Sequence, residues 1–142
     1  MGTWGSGPLD NDTAADWCGD LHDAPPDQRV GLIRKALTMV ANHDAADYLD
    51  GDLADEAVAA AVVVASQLPD GPPLGPAYAP TFLCEGGSIT VPPDLPALAV
   101  RALDRVDSSN SELPGLWGDG YAVVLDERRP ARAALERAAT SL

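Results

Sequence analysis

The sequence predicts a mainly α-helical protein: one compact domain over residues 1–142, built as a bundle of five or six helices. Apolar residues recur at three- and four-residue spacing through most of the chain. Aspartate, asparagine or serine precedes several of these stretches in the position of an N-cap, and proline or glycine follows several of them. A chain of 142 residues with 46 % hydrophobic residues is long enough to bury one core without disulfides.

The first helix is predicted to begin between Asp10 and Asp12, with one of these two aspartates as its N-cap. It ends by Asp23, ahead of Pro25 and Pro26. One side of this helix is apolar and is expected to be buried, with Ala14, Trp17, Cys18 and Leu21. The opposite side is an acidic stripe, formed by Asp12, Asp16, Asp20 and Asp23.

The second helix is predicted over residues 26–43, and the third over residues 52–68. Residues 57–65, in the third helix, are apolar all round, which indicates a helix buried on most sides. Tyr48 and Leu49 lie in the acidic turn before it and are expected to pack inward. The second helix carries a core stripe at helical spacing: Val30, Ile33, Leu37 and Val40.

Residues 69–93 contain seven of the thirteen prolines and are predicted to form a loop or a poorly ordered excursion. A small β-hairpin is an alternative for part of this segment, with residues 81–84 and 88–91 as strands. The next helix is predicted to begin at an Asp94 cap, and it has the cleanest apolar stripe in the chain.

A short fifth helix is predicted after an Asn110 or Ser111 cap, ending at the glycines of residues 118–120. Residues 121–125 are either a short strand or another helical turn, and Pro130 is placed to open a last helix. Three side chains of the short helix are expected to face inward: Leu113, Leu116 and Trp117.

The chain is strongly acidic, with a formal net charge of −13. Residues 1–75 carry 13 acids and 3 bases, a net charge of −10. This charge disfavours direct binding to nucleic acid and to anionic membranes, because both need a basic patch. A basic protein partner or a divalent cation fits the charge, and the simplest alternative is that the acids serve solubility alone.

We expect a cytoplasmic location with reduced thiols. Residues 1–12 lack the basic and apolar regions of a signal peptide. The longest apolar run, residues 57–65, is too short to span a bilayer. Two cysteines, Cys18 and Cys84, do not make a disulfide framework.

The candidate binding surface lies in the N-terminal stretch, which holds two of the three tryptophans. Its glycines, residues 2–7, follow no predicted strand and lack the lysine of a phosphate-binding loop. They are expected to fold the first residues against the first helix. The residues assigned to this surface are Trp4, Asp10, Asn11, Asp12, Asp16, Asp20 and Asp23.

Metal binding and catalysis receive weaker support from the sequence. Asp10, Asp12 and Asp16 could supply oxygen ligands to Ca²⁺ or Mg²⁺, but their spacing is not that of an EF-hand. Cys18 and His22 have a spacing that can hold Zn²⁺, with few further ligands available. No catalytic triad can be identified, so we assign no catalytic residue, no cofactor and no metal.

The opening of the chain resembles that of a bacterial family known as domain of unknown function 4259. The resemblance rests on Gly2-Thr3-Trp4-Gly5, Asp10-Asn11-Asp12, Asp16-Trp17 and Leu21. It continues through Tyr48-Leu49, residues 57–65, residues 101–106, residues 110–113 and Leu116-Trp117. The chain departs from the family pattern in two places: Val62 replaces an expected glutamate, and Gly118-Asp119-Gly120 replaces charged helix. The resemblance implies no catalytic residue.

These observations predict a small cytoplasmic binding or regulatory protein whose acidic N-terminal half contacts a basic partner, in the manner of an immunity or inhibitor protein. Two alternatives remain open. One is a small metal-dependent hydrolase that uses the carboxylates of Asp10, Asp12 and Asp16. The other is a homo-oligomeric structural protein.

Overall fold

Helices account for nearly all of the regular structure in the computed structural model, which describes residues 5, 7–74 and 79–140. Two short 3₁₀ turns, Pro26–Gln28 and Gly118–Gly120, precede the second and last helices, and no strand occurs within the described ranges. The helices are α1 (Asp12–Asp23), α2 (Arg29–Ala41), α3 (Gly51–Ser66), α4 (Thr81–Cys84), α5 (Leu95–Val106), α6 (Glu112–Trp117) and α7 (Tyr121–Thr140). The predicted mainly α-helical bundle is confirmed.

Helix α3 is the centre of the bundle. It packs against α1, α2, α5, α6 and α7. Every residue from 57 to 65 is buried, as its all-round apolar sequence predicts. Small alanine and valine side chains let neighbouring helices approach on several sides of one helix. None of the helices in the described ranges is both long and apolar enough to span a lipid bilayer.

The predicted start and end of α1 are confirmed, but the predicted capping residue is wrong. Asn11 is the N-cap, and its Oδ1 accepts a hydrogen bond from the Ala14 N–H at 2.8 Å. Asp10 lies one residue too early for this role, and Asp12 is already helical. The predicted apolar side of α1 is buried as expected, with Ala14, Trp17, Cys18 and Leu21 in the core.

The hairpin considered for residues 81–91 does not form, because residues 81–84 make the helical turn α4. The Gly87 N–H donates to the Phe82 carbonyl at 2.8 Å, which closes this turn. The buried Phe82 ring stacks under the Arg29 guanidinium. The backbone N–H of Phe82 donates to His22 Nδ1 at 3.1 Å. These contacts hold α4 against α1 in place of pairing with a second strand.

Pro130 does not open the last helix but lies inside the continuous helix α7. Proline in a helix interior costs about 3 kcal/mol, because it removes one hydrogen bond and clashes with the preceding turn. Its own ring is exposed, whereas one face of α7 is buried on both sides of it. Burial of that face in the bundle therefore outweighs the preference of Pro130 for the start of a helix. The buried face comprises Tyr121, Val124, Arg128, Ala131, Ala134 and Leu135.

Two side chains that were expected to point inward are exposed, Tyr48 at 60 % and Leu116 at 66 %. Leu49 and Leu113 occupy the buried positions beside them. Asp94 does precede α5 as predicted, but its carboxylate does not cap the helix. It pairs instead with Arg34 of α2, and this bond lowers the pKa of Asp94.

A short backbone bridge joins the segments that precede α3 and α6. The Leu49 N–H donates to the Asn110 carbonyl, and the Glu112 N–H donates to the Leu49 carbonyl, both at 3.0 Å. Glu112 Oε1 also accepts a hydrogen bond from the Gly51 N–H at 2.9 Å. A residue of α6 thus caps the first turn of α3, where a carboxylate suits the positive end of the helix dipole.

Candidate functional site

The four aspartates of the α1 stripe are all exposed on one side of the bundle. Within the described ranges no lysine or arginine forms an ion pair with any of them. Like charges three or four residues apart on a helix destabilise it by a few tenths of a kcal/mol per pair. The stripe therefore has a small energetic cost that no lysine or arginine among the described residues offsets.

The stripe continues onto the start of α3. Thr13 Oγ1 donates to Asp52 Oδ1 at 3.2 Å, which joins the two helices at this point. Burial raises the pKa of Glu56, and the charges of Asp52 and Asp20 raise it further, whereas Lys35 lowers it. We call the combined surface the acidic face, formed by Asp12, Asp16, Asp20, Asp23, Asp52 and Glu56.

The remaining residues of the predicted binding surface have different environments. Asp10 is half-buried, and its Oδ2 accepts a hydrogen bond from the Gly7 N–H at 3.0 Å. Asn11 is buried because its side chain caps α1. Trp4 lies outside the described residues. The N-terminal stretch thus combines a turn, a helix cap and the first residue of the acidic face.

The weak metal candidates, Cys18 and His22, are occupied in other ways. Burial raises the pKa of the Cys18 thiol to about 12, which keeps it protonated at neutral pH. His22 Nδ1 accepts the Phe82 N–H. In the part of the chain that the structure describes, no three histidine, cysteine, aspartate or glutamate side chains are placed to hold a metal ion together. Asp10, Asp12 and Asp16 therefore do not form such a group.

Residues 7–10 form a turn, called the N-terminal turn below. A narrow cleft beside it contains Asp55 of α3, a carboxylate that the sequence analysis did not identify. The cleft encloses about 40 Å³, room for roughly three water molecules. Apolar side chains and residues of the turn form much of its wall. The lining includes Gly7, Pro8, Asn11, Val58, Leu113, Trp117 and Arg128.

Asp55 is the most perturbed acid among the described residues. Its pKa is raised to about 6, chiefly by burial and then by the charge of Asp52, with smaller contributions from Glu112 and Asp50, whereas the charge of Arg128 lowers it. No hydrogen bond or ion pair joins Asp55 to another described side chain. The sequence shows only one more aspartate in an acidic first turn, so nothing local distinguishes Asp55 from its neighbours.

Replacing Asp55 with asparagine is expected to stabilise the protein by about 1 kcal/mol at neutral pH, a value reduced for partial solvent exposure. The folded state raises the pKa of this group, so ionisation opposes folding once the pH exceeds the unfolded-state pKa. The gain should therefore be largest above about pH 6 and should vanish below about pH 3, where both states are protonated. Urea denaturation of both proteins at the two pH values measures it.

Asp119→Asn is the matched control for this substitution, because Asp119 is exposed and its removal changes the net charge equally. It should show little difference between the two pH values. An Asp55→Asn gain that is independent of pH would contradict a half-buried, ionised carboxylate at this position.

A family model described as a domain of unknown function (DUF4259) matches residues 2–126 of the chain. The matched range contains the N-terminal turn, the acidic face and Asp55. No curated protein and no solved structure matches the chain.

Proposed function

Because the chain belongs to the DUF4259 family, whose description names no activity, we propose a function from its own surface: it is a small acidic protein that binds a basic protein partner through the acidic face. The proposal includes an immunity- or inhibitor-like role, in which binding covers a basic surface of the partner. It also places the protein in the cytoplasm, in line with the buried and unpaired thiol of Cys18.

The observation that carries this proposal is the lack of cationic partners for the α1 aspartates. Elsewhere in the described chain, exposed acids do pair with arginines, as in Arg34–Asp94 and Arg132–Asp104. On α1, four aspartates share one exposed side without such a pair. A row of unpaired charges of one sign attracts a surface of opposite sign, which raises the association rate and selects against acidic partners.

Reversing two charges at the centre of the acidic face tests the proposal. The double variant Asp16→Lys, Asp20→Lys should lose capture of basic proteins in a cross-linking pull-down from host lysate. We expect at least a tenfold loss, because like charges placed opposite each other cost more than about 1.4 kcal/mol. Capture by the natural sequence should also weaken at about 0.3 M salt, where exposed charges are screened.

Glu85→Lys together with Asp119→Lys provides the matched control. Both acids are exposed, lie outside the acidic face and change the net charge by the same amount. This control should capture the same proteins as the natural sequence. Equal capture by all three proteins, or capture of mainly acidic proteins, would show that the acidic face is not the binding surface.

A further inference from the structure

An apolar groove lies at the N-terminal end of α1, between the N-terminal turn, α3, residues 72–74 and α7. Its volume is about 270 Å³. The floor is nearly inaccessible to solvent and consists of Leu9, Val62 and Ala131. Four prolines from three separate parts of the chain line it: Pro8, Pro72, Pro73 and Pro130.

The side chains that line this groove restrict what it can bind. Among the described lining residues no side chain can donate a hydrogen bond, since all are aliphatic or carboxylate. The charged ones among them are Asp10 and Glu127. Glu127 is exposed, and Asp10 keeps its contact with the Gly7 N–H. An occupant with an apolar body and neighbouring positive charge matches this lining, whereas an anion does not.

The size and the position of the groove further restrict the kind of occupant that it can bind. The groove volume of about 270 Å³ lies just below the range of drug-sized ligand sites, about 300–1,000 Å³, and is sufficient for one large side chain. Asp10, which lines the groove, precedes Asp12, the first residue of the acidic face, by two positions in the chain. The groove therefore lies close to this end of the acidic face.

We propose that the groove seats one large apolar side chain of the basic partner, flanked by lysine or arginine residues that pair with Asp10 and Glu127. This inference rests on the proposed function and gives the partner a definite chemistry: a basic segment with an apolar anchor. The acidic face attracts the basic partner electrostatically, and the groove buries one of its apolar side chains. Such buried anchor residues usually carry most of the binding energy of an interface.

Two synthetic peptides test this arrangement against the full chain by fluorescence polarisation. One is a peptide of arginine and serine with a single central phenylalanine, and the other has serine in place of that phenylalanine. The phenylalanine peptide should bind about tenfold more tightly, because only it buries an aromatic ring. Ala131→Leu, which fills the groove from its floor, should remove this advantage and leave the affinity of the serine peptide unchanged.

Ala122→Leu is the control for the added bulk, because Ala122 is exposed on the same helix and does not line the groove. It should keep the tenfold ratio. Glu127→Gln is a second variant that leaves the floor intact, and it should weaken both peptides by about twofold to threefold, as expected for an exposed ion pair.

The two proposals fail in different ways. Equal affinities of the two peptides, or a ratio that Ala131→Leu leaves unchanged, would overturn the groove as an anchor site. In that case the acidic face would still be supported if Asp16→Lys, Asp20→Lys weakens both peptides. Absence of binding by either peptide would count against both proposals. A dimer that Ala131→Leu dissociates, measured by light scattering, would make a second copy the occupant and overturn the inference.

Discussion

Replacing Arg105 with methionine is expected to lower the free energy of unfolding by about 3 kcal/mol, because it removes all the hydrogen bonds of one buried guanidinium. Arg105 lies on α5 and is 8 % exposed. Its guanidinium donates to Ser108 Oγ and to His43 Nδ1. It also donates to four backbone carbonyls, those of His43, Asp44, Asp47 and Asn110.

These bonds replace secondary structure in the connection between α2 and α3. Residues 42–48 form no helix, so their carbonyls find donors outside a helical ladder, and Arg105 supplies several of these donors. A planar guanidinium with five N–H groups reaches several carbonyls at once, which an ammonium group cannot do. Arg105→Lys should therefore recover less than half of the stability that Arg105→Met loses.

Arg101→Met is the matched control on the same helix, because Arg101 is exposed and makes one hydrogen bond, to Asn42 Oδ1 at 2.9 Å. It should cost no more than about 0.5 kcal/mol. Urea denaturation of the three variants at neutral pH measures the differences. Similar stabilities for Arg105→Met and Arg101→Met would mean that the carbonyls find water in the variant at little cost.

Replacing Asp107 with asparagine is expected to cost a similar amount, about 3 kcal/mol, because it leaves a buried positive charge without its counter-charge. Asp107 Oδ1 accepts hydrogen bonds from Arg128 Nη1 at 3.0 Å and from the Tyr121 hydroxyl. The Arg128 side chain is only 4 % exposed, and its Nε finds no acceptor in the described structure. Burial, together with Asp107, also raises the pKa of Tyr121.

Asp104→Asn isolates the effect of burial, because Asp104 and Asp107 both pair with Arg132. The Asp104 side chain is 64 % exposed, against 20 % for Asp107. Its loss should cost about 0.3 kcal/mol, the usual value for an exposed ion pair. Thermal unfolding of both variants would contradict this account if Asp104→Asn proved equally destabilising.

The helices that could be predicted from the sequence are those whose signals are local. The periodicity of α1 correctly separated its buried side from its exposed aspartates, and the apolar run of α3 correctly predicted burial on all sides. Local signals misled in two places. Pro130 predicts a helix start and residues 81–91 allow a hairpin, and both predictions are wrong because local sequence does not contain the surfaces that pack against these segments.

The candidate site was predictable only in part, for the same reason. Exposure of the α1 aspartates follows from helical geometry, since one apolar side leaves the other in water. The unusual carboxylate is Asp55, and its burial depends on Trp117 and Arg128, which are far away in the chain. No spacing rule connects residues so distant, so its sequence neighbourhood shows only a typical acidic helix start.

By itself, the sequence determined the helical class of this protein, its acidic character and the two sides of α1, because helical period and charge belong to short stretches of chain. Only the tertiary structure decided which polar groups are buried and what they contact. Arg105 contacts His43, 62 residues away, and Arg34 contacts Asp94, 60 residues away. Such pairs form only when packing brings distant parts of the chain together, and the buried charge of Arg105 is tolerated because the fold supplies its acceptors.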